Sequence, residues 1–139
     1  MLVLNPRQVS LGEETLEDVG AVVIDRRAEK LVVEWSDFGA HAVYADVAEQ
    51  RIVVRIVQEV VRADVGGPAP GDEVELAFHT SPTAGDVGRR KVSMTVVVTG
   101  VSHELSRKRG AVRTIEAVAI SSDGATDPVT IEPAEGGSQ

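Results

Sequence analysis

Hydrophobic and polar residues alternate along most of this chain, in short segments separated by turn-forming residues. The segment EVELAFH at 73–79 shows the pattern well: Val74, Leu76 and Phe78 alternate with charged or small residues. A period of two is typical of a β-strand with one buried and one wet face. The pattern therefore predicts a chain built mainly from antiparallel β-strands.

The segment RIVVRIVQEVVR at 51–62 fits two periodicities. Its apolar residues recur at the spacing of a helical stripe, and they also populate the faces of a strand. Every apolar residue in it is β-branched, and such side chains lose rotamer freedom in a helix but pack well on a pleated surface. The whole chain has the same bias, with 25 valines and 6 isoleucines. We therefore interpret residues 51–62 as a strand.

Two long segments near the C-terminal end predict a hairpin. Residues 91–105 are extended with Gly100 as a bend or bulge, and residues 111–121 return after the basic turn SRKRG at 106–110. Both segments are longer than the usual five or six residues of a strand. A long hairpin of this kind is expected to project from the domain.

The first half of the chain suggests a second hairpin and one helix. Residues 19–27 and 30–35 are strand-like and are separated by the short polar link Ala28-Glu29, which predicts a tight connection. The Ala-rich stretch within residues 36–50 is the best place for a helix.

Gly, Pro and Asp residues predict the positions of the loops and the end of the domain. Residues 64–72 and 80–90 are predicted loops, a turn is predicted at Asp123-Gly124, and a brief edge strand at 129–131. The predicted architecture is one mainly β domain over residues 1–131, an antiparallel β-sandwich or small barrel of about seven to nine strands. It has at most one short helix, and residues 132–139 form a flexible tail.

Candidate chemistry is sparse. There is no cysteine, and His41, His79 and His103 lie in separate segments without a metal-binding spacing. Neither a nucleophile elbow nor a phosphate-cradling glycine loop is present. The sequence predicts no enzyme, no cofactor and no metal site, although a buried pair of carboxyl groups stays open as an alternative. The first 14 residues lack the basic and apolar regions of a secretion signal or membrane span, so we expect a soluble protein.

Charge is divided unevenly between the two halves of the chain. The formal net charge is −8, and all of it lies in residues 1–75. The second half carries two basic clusters, which are solvated hairpin ends or intersubunit contacts. Opposite patches on one molecule favour head-to-tail self-association. We predict intersubunit contacts at Arg89, Arg90, Lys91, Arg107, Lys108 and Arg109.

The chain resembles a tail tube protein of a tailed phage or of a related phage-derived particle. The resemblance lies in the long β segment from YADVAEQ to VVRADV, the loop and strand GGPAPGDEVELAFHT, and the C-terminal ribbon that ends in SSDGATDPVTI, roughly residues 43–131.

The resemblance implies a structural virion protein whose hexameric rings stack into a tube. Long strands would join edge to edge around a lumen, and DNA would transit this lumen without specific binding because an acidic wall repels phosphate. The implied partners are copies of the same chain and the terminator, tape measure and distal tail proteins, with no membrane. The implied location is the virion tail, after synthesis in the bacterial host cytoplasm.

Two alternatives stay open. A tail terminator, neck or distal tail adaptor would share the fold and form one ring only. A monomeric carbohydrate-binding or adhesion module would want exposed aromatic side chains, and the chain has only Trp35, Phe38, Tyr44 and Phe78.

Overall fold

A computed structural model describes residues 2–4, 6–60, 68–80, 90–106 and 110–133. These residues contain nine β-strands and no helix, and accordingly no helix long and apolar enough to span a membrane. The strands are β1 (Leu2–Leu4), β2 (Arg7–Leu11), β3 (Glu14–Thr15), β4 (Val19–Trp35), β5 (Ala42–Val60), β6 (Glu73–Thr80), β7 (Arg90–Ser106), β8 (Gly110–Ile120) and β9 (Thr130–Pro133).

All paired strands are antiparallel and form one sheet. Its order is β1-β4-β5-β8-β7-β6-β2-β3, and β9 pairs with the start of β7. The path of paired strands is open between β1 and β3 in the described part of the chain. The mainly β prediction is therefore confirmed, as a curled, sandwich-like sheet rather than a closed barrel.

The sheet curls around one aliphatic core. Val9 of β2 and Val22 of β4 are almost fully buried in the same cluster, although their strands lie near opposite ends of the sheet. Alternate residues of β5 to β8 complete this core, with Phe78 as its only aromatic side chain. A chain rich in valine suits this arrangement because β-branched side chains pack closely on a pleated surface.

A buried polar contact joins the sheet to the segment before β4. The amide of Gln58 on β5 donates to the backbone carbonyl of Glu17 (2.8 Å), and its oxygen accepts from the guanidinium of Arg113 on β8, with 3.1 Å from Nε. The backbone N–H of Glu59 also donates to the carbonyl of Asp18. These bonds hold residues 17–18 against β5, so hydrogen bonds outside the strand pairing also stabilise the curled sheet.

Several predicted elements are confirmed. Residues 51–60 continue β5 as a strand, residues 73–80 form β6, and β7 pairs with β8 as the long C-terminal hairpin. The register of this hairpin shifts between Val98 and Gly100, where the bend was expected. However, β8 also pairs with β5 over most of its length, so this hairpin lies inside the sheet and does not project from the domain as expected.

Two predictions for the first half are wrong. Ala28-Glu29 is not a turn, because β4 continues through it and register shifts beside Ala28 absorb the irregularity. Residues 42–50, where a helix was expected, belong to β5 and pair with β4. The real connection is at residues 36–41.

Some predictions fall outside the described residues. They comprise residues 61–62 of the predicted strand, residues 64–67 of the first predicted loop, residues 81–89 of the second, residues 107–109 of the basic turn and the end of the tail at 134–139. The predicted turn at Asp123-Gly124 is present, and the positive φ of Gly124 (79°) is one that glycine adopts without strain. The predicted edge strand is β9.

Candidate interaction surface

A two-stranded ribbon extends beyond the body of the sheet. It comprises residues 27–51: the end of β4, the connection at 36–41 and the start of β5. β1 pairs with β4 only at residues 21–23 and β8 pairs with β5 only from Ile52 onward, so within the described part of the chain the ribbon strands pair only with each other. At about 3.3 Å per residue, the nine residues 27–35 span roughly 30 Å.

One face of this ribbon is apolar. Leu31, Val33 and Trp35 alternate along β4, and Val47 and Ala45 stand opposite the first two. Leu31 is 56% exposed and Trp35 is 63% exposed. Single exposed hydrophobic residues are ordinary, but a continuous apolar face on an element with no core of its own marks an interaction surface.

The ribbon also carries most of the aromatic side chains of the chain. Trp35, Phe38 and Tyr44 lie at or near its tip, and Phe38 is 98% exposed. The backbone N–H of Phe38 donates to Ser36 Oγ (3.2 Å), which shapes the connection. Aromatic residues are few, as composition indicated, but three of the four are exposed at this end of the ribbon, with Trp35 on the apolar face and Tyr44 on the opposite face. Sequence reasoning missed their exposure because it expected a helix at residues 36–50.

The same ribbon is acidic. Residues 31–50 contain Glu34, Asp37, Asp46 and Glu49 but no lysine or arginine. Glu34 and Tyr44 are cross-strand partners, as are Val32 and Asp46, so these four residues share the face opposite the apolar one. We call this surface the acidic face of the ribbon.

A cleft lies at the base of the ribbon. It has a volume of about 600 Å³ and is lined by residues 48–50, the end of β8 and the loop at 124–128. Arg26, just before the ribbon, forms an ion pair with Asp127 in this loop (Nη2–Oδ2, 3.1 Å). The loop is therefore fastened to the ribbon base across the cleft.

Hydrogen bonds shape that loop from within. Asp123 accepts bonds from the backbone N–H and hydroxyl of Thr126, the backbone N–H of Ala125 and the hydroxyl of Ser121. These hydrogen bonds hold the pKa of Asp123 well below its usual value, and the bond from the backbone N–H of Thr126 has the largest effect. The backbone N–H of Val129, with help from Arg26, lowers the pKa of Asp127.

These two carboxyl groups bear on the enzyme alternative. An acid–base pair at neutral pH would need a carboxyl group with a raised pKa, and both shifts are downward. Among the described residues the only buried charged side chain is Arg113, so no buried carboxyl pair is present there.

Two of the predicted contact residues lie together at one corner of the sheet. Arg90 and Lys91 begin β7, and Lys91 stands between His79 of β6 and Glu132 of β9. His79 in turn stands opposite Arg7 of β2. Arg7, His79 and Lys91 thus lie on one side of the sheet, and Arg90, which alternates with the buried Val92, lies on the other. The other predicted contacts, Arg89, Arg107, Lys108 and Arg109, lie outside the described residues.

The sheet face opposite the core is more acidic than basic over β5 to β8. Its charged side chains are Glu59, Glu73, Glu75, Glu104 and Glu116 against Arg55 and Lys91. Arg55 is 3.5 Å from Glu116, and Arg51 at the ribbon base pairs with Glu29. The arginines that the sequence places on the 51–62 strand are therefore balanced locally, as far as this strand is described.

The structure brings no metal-binding group together within the described residues. His41 lies in the ribbon connection, His79 on β6 and His103 on β7. No protein-family model matches the chain, and no curated protein matches it in sequence. Function is therefore argued from the surfaces themselves.

Proposed function

We propose that this chain is a structural subunit that assembles with copies of itself, with the ribbon as its main contact. The apolar face of the ribbon carries the proposal. An isolated two-stranded hairpin is marginally stable in water, and this one leaves Leu31 and Trp35 largely exposed. A neighbouring subunit that covers the face would bury these side chains and stabilise the ribbon at the same time.

The unpaired strand edges of the ribbon support the same proposal. Among the residues that the structure describes, 27–35 and 42–51 each pair on one side only, which leaves each strand a row of backbone groups that no described strand pairs with. Edges of this length are normally blocked or covered, because they pair readily with other strands. In an assembly, a strand of the next copy would complete them.

The specific assembly we propose is the tail tube of a tailed phage or related particle, in stacked hexameric rings. The resemblance over residues 43–131 suggests it, and the acidic outer face of β5 to β8 fits a lumen wall, since repelled phosphate allows DNA to slide without specific binding. Its partners would be the terminator, tape measure and distal tail proteins. The protein would be made in the bacterial cytoplasm and act in the virion tail.

Two other functions share these surfaces. A terminator, neck or distal tail adaptor would use the ribbon in the same way but form a single ring. The exposed aromatic side chains near the ribbon tip, Phe38 above all, favour a candidate of another class, a monomeric carbohydrate-binding or adhesion module, since aromatic rings stack on sugars.

Negative-stain electron microscopy with light scattering on the purified protein tests the proposal. The tail tube proposal predicts long hollow tubes at high concentration. Isolated rings would favour the terminator or adaptor, and a monomer at every concentration would contradict self-assembly. In that last case glycan binding that is lost in Phe38→Ala would support the adhesion module.

A further inference from the structure

We propose that two copies of this chain pair through their ribbons about a two-fold axis, and that Phe38 of each copy occupies the cleft at the base of the other ribbon. The inference rests on the proposed self-assembly and deepens it by naming what first covers the apolar face. Such a pair protects this face before a subunit joins a larger assembly.

The apolar face of the ribbon and the cleft lie on the same side of the sheet. Ile52 belongs to the core and lines the cleft, and its partner across the ladder is Arg26, which also lines it. Successive pairs alternate between the two sides of a ladder, and the register shifts on either side of Lys30 add one residue to each strand. The pair of Leu31 with Val47 therefore returns to the core side, on which the cleft opens.

A second ribbon is the best apolar partner that another copy offers. Of the ten large hydrophobic side chains that are exposed in the described part of the chain, seven lie on the ribbon. The other three, Leu105, Ile120 and Ile131, lie on three different strands. A surface that covers a copy of itself does so about a two-fold axis.

The order of side chains along the apolar face favours this symmetry. Val33 and Ala45 form the middle of the face, with Trp35 on one side and the pair of Leu31 and Val47 on the other. A two-fold axis near Val33 places Trp35 of each copy over Leu31 of the other. Side chains of the two facing sheets can then interdigitate, whereas a parallel arrangement would set Trp35 against Trp35.

The same arrangement brings Phe38 to the cleft. Phe38 follows Trp35 by three residues, a distance of up to about 10 Å along an extended chain. With Trp35 over Leu31 of the other copy, Phe38 lies about three residues nearer to the body of that copy. This is the level of Gln50, which stands opposite Ala28 and lines the cleft.

The cleft suits a phenyl ring. Its volume of about 600 Å³ is in the range of sites that hold a small ligand. Ile52, Ala119, Ile120 and Pro128 give its lining an apolar part. Phe38 is 98% exposed in one copy, so its transfer into this cleft removes a large apolar surface from water.

The size of the contact predicts a reversible pair. The overlapping ribbons measure roughly 30 Å by 10 Å, or about 300 Å² on each copy. Each aromatic ring that enters a cleft adds about 150–250 Å². A total of roughly 1,000 Å² is at the lower limit for a specific interface. The acidic faces of the two ribbons point away from each other, so salt should strengthen the pair by screening their repulsion.

Disulfide cross-linking tests the two-fold axis. The chain has no cysteine, so Val33→Cys introduces a single thiol near the proposed axis, where it meets the same thiol of the other copy. We expect copper phenanthroline to oxidise Val33→Cys to a covalent dimer at least tenfold faster than Val32→Cys. Val32 is the matched control because it is the next residue, lies on the opposite face and is itself 42% exposed. Equal rates would overturn the two-fold pair.

Two substitutions test the occupant of the cleft. Phe38→Ala removes the ring, and Ala125→Trp fills the cleft that Ala125 lines. Each should raise the dissociation constant of the pair at least fivefold in sedimentation experiments. Ser122→Trp, on the same loop but outside the lining of the cleft, should stay within twofold. An equal mixture of Phe38→Ala and Ala125→Trp should pair more tightly than either variant alone, because a mixed pair keeps one Phe38 opposite one open cleft.

The outcomes separate this inference from the proposed function. Assembly that proceeds although Val33→Cys cross-links no faster than Val32→Cys, or that ignores both cleft substitutions, overturns the two-fold pair and leaves self-assembly standing. A chain that is monomeric at every concentration overturns both. Circular dichroism and melting confirm that each variant is folded, and Ala125→Leu replaces Ala125→Trp if the latter unfolds.

Discussion

Arg26 and Asp127 are joined by an ion pair of 3.1 Å that links the last body residue of β4 before the ribbon to the loop after β8. Both side chains are about half exposed, so the pair by itself contributes only about 0–1 kcal/mol. Its position matters more than its strength. The ribbon leaves the sheet at this point, and residues 48–50 of the ribbon line the same cleft as the loop at 124–128.

Removal of the Asp123 carboxylate should loosen this loop without unfolding the core. Asp123→Ala removes the acceptor of four hydrogen bonds. We expect faster hydrogen exchange at residues 124–129, and a fall in melting temperature of only a few degrees. Ser122→Ala is the control, since Ser122 is exposed beside the turn. Unchanged exchange in Asp123→Ala would show that the turn is held by other contacts.

Acid should weaken the loop through Asp123 and Asp127. Both carboxyl groups have a lowered pKa in the folded protein, so they stabilise it above their unfolded value of about 3.9. This stability is lost as the pH falls from about 4 through the lowered folded values. In Asp123→Asn with Asp127→Asn, the free energy of unfolding should depend less on pH between about 4 and 2. Denaturant titrations at a series of pH values measure the slope, and an unaltered slope would contradict this assignment.

Substitution of two phenylalanines should distinguish effects on folding from effects on assembly. Phe78 is fully buried and Phe38 is 98% exposed. Phe78→Ala should lower the free energy of unfolding by about 3–5 kcal/mol, because it removes a large core side chain and leaves a cavity. Phe38→Ala should change it by less than about 0.5 kcal/mol and should weaken self-association instead. Chemical denaturation and light scattering on the same two variants give both results, and weak folding in Phe38→Ala would show that the ribbon tip packs on its own body.

The buried contact between Gln58 and Arg113 should behave as a coupled pair. Gln58→Leu removes an acceptor from a buried guanidinium and a donor from the Glu17 carbonyl, so we expect a loss of about 2–3 kcal/mol. Arg113→Met in that background should restore part of it, since it removes the buried guanidinium that has lost this acceptor. A double-mutant cycle measured by urea unfolding gives the coupling, and strictly additive losses would mean that the two side chains act independently.

Where the sheet packs on a core, the sequence was sufficient to predict its strands. Val92, Met94, Val96 and Val98 on β7 are all buried, because alternation along a strand follows directly from packing on one face. The β-branched residues of 51–62 resolved the choice between helix and strand for the same reason.

In the ribbon, by contrast, no core imposes that alternation. From the sequence, the residues of the ribbon were therefore predicted as separate short elements, with a turn at Ala28-Glu29 and a helix in the Ala-rich run. Pairing between β4 and β5 overrides both local signals, since Ala45 opposite Val33 and Val47 opposite Leu31 continue the ladder. A stretch of 20 residues without lysine or arginine was the available signal for this surface, and only the pairing shows that its apolar and acidic residues lie on opposite faces.

Trp35 offers the most direct measurement of whether a second copy covers the apolar face of the ribbon. It is the only tryptophan, it lies on that face, and it is 63% exposed in one subunit. Its fluorescence should be that of a solvated indole at low concentration. As light scattering reports assembly, the emission should shift to shorter wavelength and acrylamide quenching should fall. Assembly that leaves emission and quenching unchanged would contradict burial of this face between subunits.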